Sequence, residues 1–198
     1  MSNTLKTNLQ FLWAALVKPP QTGSIIPSQR FLINRMIAPV PEDYCGQIIE
    51  LGAGSGALTQ RLAARCPEAR ILACEINHSL ARVNRSNLSA AGIPATRVKV
   101  IADSAENFLP RLCVDGAEKP DFVISGIPLG NLPREKALAI IEGVKETLRP
   151  GGLFIQFQYF LADHGKIRKR FARMRTIPVL LNIPPAFVYY AQKHAARA

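Results

Sequence analysis

Long apolar runs are missing from this sequence of 198 residues, because charged residues or prolines interrupt every candidate stretch. None reaches the roughly 18 residues needed to cross a bilayer, so no segment is expected to span a membrane. The N-terminus also lacks a basic stretch followed by an apolar run and a small-residue cleavage site, which argues against a secretory leader and for a cytoplasmic chain. Cysteine is sparse: Cys45, Cys66, Cys74 and Cys113 are scattered without any Cys-x-x-Cys spacing. Reduced, mostly buried thiols are expected, and neither a metal cluster nor a disulfide framework. The three histidines, His78, His164 and His194, fall into no Ser-His-Asp arrangement, and no P-loop lysine motif occurs. His164 alone is kept as a site candidate. Acidic side chains are short in supply, with 14 Asp and Glu against 25 Lys and Arg and a formal charge of +11. Such an imbalance attracts a polyanion, which charge alone leaves open between nucleic acid and an anionic lipid surface.

Apolar residues make up 48% of the chain at a mean hydropathy of +0.08, enough for a packed core, and 21.7 kDa allows one such core. From about residue 48 onward, β-branched runs alternate with helical patterns. Ile48 to Leu51, Arg70 to Glu75, Arg97 to Ala102, Asp121 to Ser125 and Leu153 to Tyr159 read as strands. Ala57 to Arg65, Ser79 to Ala90, Ala105 to Leu112 and Arg134 to Leu148 read as helices, with Gly and Pro at the joins. Repeated β-α units predict an α/β fold with a parallel sheet covered on both faces. A basic helix is expected over Asp163 to Arg175, with Ile167, Phe171 and Met174 as its apolar face. Two strands, Thr176 to Asn182 and Ala186 to Gln192, then close the sheet as a hairpin. Residues 1–40 form a preface to the domain proper, 41–198. An amphipathic helix carries Leu5, Leu9, Leu12, Trp13, Leu16 and Val17 on one side and stops before Pro19 and Pro20. A second helix, capped by Ser28, runs to about Ala38.

The strongest motif is Glu50-Leu51-Gly52-Ala53-Gly54-Ser55-Gly56, set between the apolar Ile48-Ile49 and a helix. Glycines there permit a tight strand-to-helix turn and let a ligand lie against bare backbone at the carboxyl edge of the sheet. Gly52, Gly54 and Ala57 also satisfy the dinucleotide pattern, so a dehydrogenase competes. Glu50 weighs against it, since a carboxylate at the loop would repel a pyrophosphate but favour the ammonium and sulfonium of S-adenosylmethionine. Glu75, followed by Ile76, ends the second strand where a carboxylate can accept ribose hydroxyls. Asp103, with Ser104 and Ala105 behind it, ends the third, where an adenine edge would meet a carboxylate and an amide; capping the next helix is its alternative role. The fourth strand ends in Ser125-Gly126-Ile127-Pro128-Leu129 and then Asn131-Leu132-Pro133, placed to face the methyl acceptor, with Ser125 also reaching the donor. Adenine amino methyltransferases carry a polar residue and a stacking aromatic where this chain has Gly126 and Leu129, which disfavours a base as acceptor. Tyr159, Tyr189 and Tyr190 are candidate orienting groups, although core packing competes for them.

These motifs, with Phe11-Leu12, Pro19 and Gly23-Ser24-Ile25-Ile26-Pro27-Ser28 at the front and Leu181-Asn182-Ile183-Pro184-Pro185-Ala186 with Val188-Tyr189 at the back, resemble the bacterial phospholipid N-methyltransferases. That family is itself similar to ribosomal RNA adenine dimethyltransferases. The resemblance implies a Rossmann-like S-adenosylmethionine methyltransferase, with a seven-stranded mostly parallel sheet and a C-terminal antiparallel hairpin. It also implies methylation of phosphatidylethanolamine towards phosphatidylcholine by a protein held peripherally on the inner face of the cell membrane. The N-terminal helix would rest on the membrane and cover the donor site. Lys6, Lys18, Lys166, Arg168, Lys169, Arg170, Arg173 and Arg175 are placed to contact anionic lipid, each contributing on the order of 1 kcal/mol near the surface. An RNA adenine methyltransferase, favoured by net charge, and a non-catalytic lipid- or RNA-binding module on the same fold are the alternatives.

Overall fold

Five apolar strands, β1 (Gln47–Leu51), β2 (Arg70–Glu75), β3 (Val98–Ala102), β4 (Phe122–Ser125) and β5 (Leu153–Gln158), run parallel. The computed structural model describes residues 27–113 and 118–196, and the expected amphipathic helix at Leu5 to Val17 lies outside them. Ile48 and Ile49 are both fully buried yet belong to two different apolar clusters, because successive side chains of a strand point to opposite faces. A strand buried on both sides has no wet face to alternate with, which is why these segments read as continuous apolar runs. Helices α1 (Pro27–Ile37), α2 (Ala57–Arg65), α3 (His78–Ala90), α4 (Ala105–Phe108), α5 (Arg134–Thr147) and α6 (His164–Arg168) surround the sheet.

Two further strands, β6 (Arg173–Val179) and β7 (Ala186–Gln192), complete a seven-stranded sheet of order β3-β2-β1-β4-β5-β7-β6. β7 is antiparallel to both β5 and β6. The expected fold class and closing hairpin are therefore present. Strand order reverses direction at β1, whose neighbours are β2 and β4, and this opens a crevice at the carboxyl ends of β1 and β4.

Local starts follow side-chain chemistry. Asn77 Oδ1 accepts from the amides of Ser79 and Leu80 at 3.0 and 3.1 Å and begins α3. Ser104 Oγ accepts from the Asn107 amide at 3.2 Å and begins α4, so the cap there is Ser104 and not Asp103. Helix α1 opens at Pro27, which puts Ser28 inside the helix rather than at its cap. The stripe Leu32, Ile33, Met36, Ile37 and the following Val40 is buried in the core shared with β1 and β2.

The long basic helix over Asp163 to Arg175 is not formed. α6 ends at Arg168, and Arg173 and Arg175 stand exposed on β6, paired with Gln192 and Tyr190 of β7. Ile167, Phe171 and Met174 share helical spacing, but Arg173-Met174-Arg175 alternates polar with apolar and the β-branched Thr176-Ile177 follows it. Pairing with β7 supplies a ladder that an isolated short helix cannot match. Pro178 is tolerated because β6 is the edge strand.

Candidate functional site

The crevice at the switch point is a cleft enclosing about 770 Å³, its open mouth included. Its floor is the glycine loop after β1, with Glu50, Gly52, Ala53, Gly54 and Ser55. Glu75 stands on one side and Gly126 on the other, while Leu32, Ile33 and Met36 of α1 and Phe157 of β5, with the polar Gln29 among them, form a mostly apolar wall. The loop is fixed by close approaches. Gly52 donates to the Cys74 carbonyl at 2.8 Å, and Gly126 donates to the Leu51 carbonyl at 2.7 Å. A Cβ on Gly126 would lie 3.0 Å from the Gly52 carbonyl oxygen, so backbone crowding requires glycine there. Gly56 has φ +96°, and a Cβ would collide with the Asn84 carboxamide, 2.7 Å from its Cγ.

Two carboxylates set the electrostatics. Glu75 is 3% exposed; its Oε2 accepts from the Gly54 amide and its Oε1 from the Asn77 amide, each at 2.8 Å. It is thus no solvated strand end, and it ties β2 to the loop. Glu50 is 2% exposed, and its Oε2 has no partner among the described residues. Burial pushes its pKa up to about 8; a hydrogen bond from Thr59 opposes the rise and the negative charge of Glu75 adds to it. A buried carboxyl oxygen without a donor, above a loop of exposed backbone, fits the ammonium of the methionine portion of S-adenosylmethionine.

The other sequence candidates divide. Ile76 follows Glu75 with its side chain 66% exposed at the same edge. Asp103 extends β3 through its amide to the Glu75 carbonyl. Its carboxylate accepts from the Ser104 amide at 2.8 Å and pairs with Arg111, and these contacts hold its pKa below the usual carboxylate range, the amide first. Ala105 is packed in the core beneath. Ser125 is fully buried and its Oγ accepts from the Ile127 amide at 3.2 Å, which turns the chain out of β4. Ile127 leans on Gly52 and Pro128 is half-buried. Leu129 is fully buried in the second cluster, so it is packing and presents no surface to an acceptor. Tyr159 stacks edge-on to Phe157 with ring centroids 5.6 Å apart, and burial raises its pKa to about 12. Tyr189 is buried against His164, and Tyr190 donates to the Arg35 carbonyl, bracing α1 on β7.

Sequence reasoning missed the wall of the cleft. Gln29, Leu32, Ile33 and Met36 repeat at 3.6-residue spacing, a readable signal, but nothing local says that this face lies over the glycine loop. Gln156 was missed too: its Nε2 donates to the Ile127 carbonyl at 2.9 Å and pins the loop after β4.

A doubly wound sheet with this strand order, a glycine loop at the switch point and acidic side chains at successive strand tips define a Rossmann-like methyltransferase that uses S-adenosylmethionine. Residues 48–152 match the methyltransferase domain family, and the chain belongs to it. It is 28% identical over 172 residues to the ornithine lipid N-methyltransferase of Singulisphaera acidiphila, covering 86% of this chain and 88% of that one. It is 25% identical over 146 residues to ribosomal RNA large subunit methyltransferase G of Shewanella amazonensis, covering 72% of this chain but 37% of that one. Among solved structures, the T. thermophilus 16S rRNA N2 G1207 methyltransferase in complex with AdoMet and guanosine superposes with a TM-score of 0.65 at 22% identity. That match covers 88% of this chain and 45% of the other. S-adenosylmethionine is accordingly its methyl donor.

Proposed function

We propose that this methyltransferase acts on the amine headgroup of a membrane phospholipid, with phosphatidylethanolamine, methylated towards phosphatidylcholine, as the first candidate. The observation that carries this reading is the likeness to a lipid N-methyltransferase along most of both chains. The chain spans 37% of the Shewanella amazonensis enzyme and 45% of the T. thermophilus one, although the match to an rRNA methylase from Streptococcus thermophilus covers all of that chain. The cleft agrees: its far wall is aliphatic and aromatic, and the loop after β4 offers neither a stacking ring nor a polar side chain at Gly126.

Bound S-adenosylmethionine supplies an electrophilic methyl carbon on a sulfonium. Glu50, once ionised, and the amide-anchored Glu75 would hold the donor, and the loop pinned by Gln156 would present the acceptor amine to it. Alignment dominates the rate, since the sulfonium is already a good leaving group. A headgroup ammonium would lose its proton to water at the open mouth of the cleft before attack. Tyr159, with its pKa raised to about 12, keeps its own proton at neutral pH and so orients by donation rather than acting as a base.

Incubating the chain with methyl-labelled donor and either mixed lipids or total RNA, followed by separation of the products, tests the reading. Label in the lipid amines is expected. Label in RNA alone overturns it in favour of the second reading, an RNA methyltransferase, which the +11 charge and the ribosomal RNA relatives support.

A further inference from the structure

Among the described residues, seven large apolar side chains are strongly exposed, and six of them stand at one edge of the sheet. Ile76 follows β2, Phe160 and Leu161 follow β5, and Leu180, Leu181 and Ile183 follow β6. β6 is antiparallel to β7, and β7 to β5, so β6 runs with the parallel strands and all six residues stand at the carboxyl edge. That is the edge where the cleft opens. Ile76 stands apart at the end of β2, but the five at the ends of β5 and β6 lie within three neighbouring strands of the sheet, and such a group, unlike a single exposed apolar residue, calls for an explanation.

The β6–β7 tip is held open by its own chemistry. Asn182 is 1% exposed; its Nδ2 donates to the Pro184 carbonyl at 2.6 Å and its amide to the Val179 carbonyl at 3.3 Å. With Asn182 turned inward, Leu180, Leu181 and Ile183 project outward at 73%, 65% and 82% exposure. The surrounding charge has one sign. From His164 to the C-terminus the chain carries eight Lys and Arg and no Asp or Glu. Arg168, Lys169, Arg173 and Arg175 make no ion pair among the described residues, whereas Lys166 and Arg170 are matched by Asp163 and Glu142.

We propose that the β6–β7 tip, with Phe160 and Leu161 beside it, is a wedge that inserts into an anionic lipid surface and seats the mouth of the cleft on the bilayer. This rests on the lipid reading of the acceptor and assigns the contact to the Leu181-Asn182-Ile183-Pro184-Pro185 motif, separately from any N-terminal helix. Aliphatic side chains enter the headgroup boundary while flanking Lys and Arg meet anionic lipid. A headgroup amine at that boundary then lies level with the loop after β4.

The test compares the full chain with a Leu180→Ser/Leu181→Ser/Ile183→Ser variant on vesicles of equal parts phosphatidylcholine and phosphatidylglycerol. The variant is expected to bind roughly tenfold or more weakly, with unchanged donor affinity and melting temperature. A separate Trp13→Phe/Ile183→Trp chain, in which the introduced tryptophan is the sole one, should show blue-shifted emission and quenching by brominated acyl chains, a readout that stands even if the triple variant folds poorly. Full vesicle binding by the triple variant together with unshifted tryptophan emission overturns the wedge, and so does loss of RNA binding with vesicle binding intact. A short-chain lipid amine dissolved below its micellar concentration separates the two claims. If it is methylated equally by both chains while vesicle-borne lipid is methylated only by the native one, the wedge is supported. If no lipid is methylated yet the tryptophan introduced by Ile183→Trp inserts, the acceptor reading fails and the wedge remains.

Discussion

Donor binding should release a proton, and Glu50 is the reason. Its carboxyl is buried and lacks a partner at Oε2 among the described residues, and burial pushes its pKa up to about 8. At pH 7 roughly nine molecules in ten then hold Glu50 neutral. An ammonium docked beside it favours the charged form, so binding expels the proton below pH 8 and none above it. The dissociation constant for S-adenosylmethionine should therefore fall by up to roughly tenfold per unit between pH 6 and pH 8 and flatten beyond. Folding is linked in the opposite sense. The folded pKa lies above the unfolded value of 4.5, so the empty protein holds a proton that unfolding releases. Its stability is full below 4.5 and declines by at most roughly 1.4 kcal/mol per unit as pH rises to about 8. Calorimetry in two buffers of different ionisation enthalpy gives the proton count directly. Glu50→Gln should abolish proton release, remove that part of the stability slope and weaken donor binding most at high pH. The reasoning is refuted if native protein releases no proton at pH 7 and binds the donor with pH-independent affinity.

Other substitutions test the rest of the cleft. Gly56→Ala, forced into positive φ against Asn84, should cost roughly 1–3 kcal/mol, read as a lowered melting temperature; an unchanged value would mean the loop relaxes freely. Glu75→Ala strands the amides of Gly54 and Asn77 and should weaken donor binding more than Asp103→Ala, with the fold retained in both. Equal donor affinity across native and both variants, by calorimetry, would place the pocket elsewhere. Gln156→Leu leaves the Ile127 carbonyl without its donor, costing roughly 1–3 kcal/mol; kcat should fall with donor affinity nearly unchanged, and the reverse pattern would contradict a role in presenting the acceptor.

Much of the fold was legible because its signals are local. The runs at Ile48 to Leu51 and Arg70 to Glu75 can be little else than buried strands, and the glycines from Gly52 to Gly56 turn the chain from strand into helix wherever it goes. Where two local signals overlapped, as between Ile167 and Ile177, only pairing with β7 chose strand over helix. Leu129 shows the complementary limit. Its place beside the acceptor loop was readable, but whether it faced the cleft or the core depended on a cluster that also draws Ile49, Phe108, Phe154 and Tyr189 from distant parts of the sequence.

The sequence alone determined that successive β-α units meet at a glycine loop, with carboxylates at three strand tips, since strand periodicity and glycine stereochemistry act over a few residues. Tertiary structure decided that α1 walls the cleft, that Glu50 is stripped of water, and that the apolar residues after three separate strands share one edge. Burial and electrostatic coupling depend on distance in space, which the folded chain sets between residues that sequence order keeps apart.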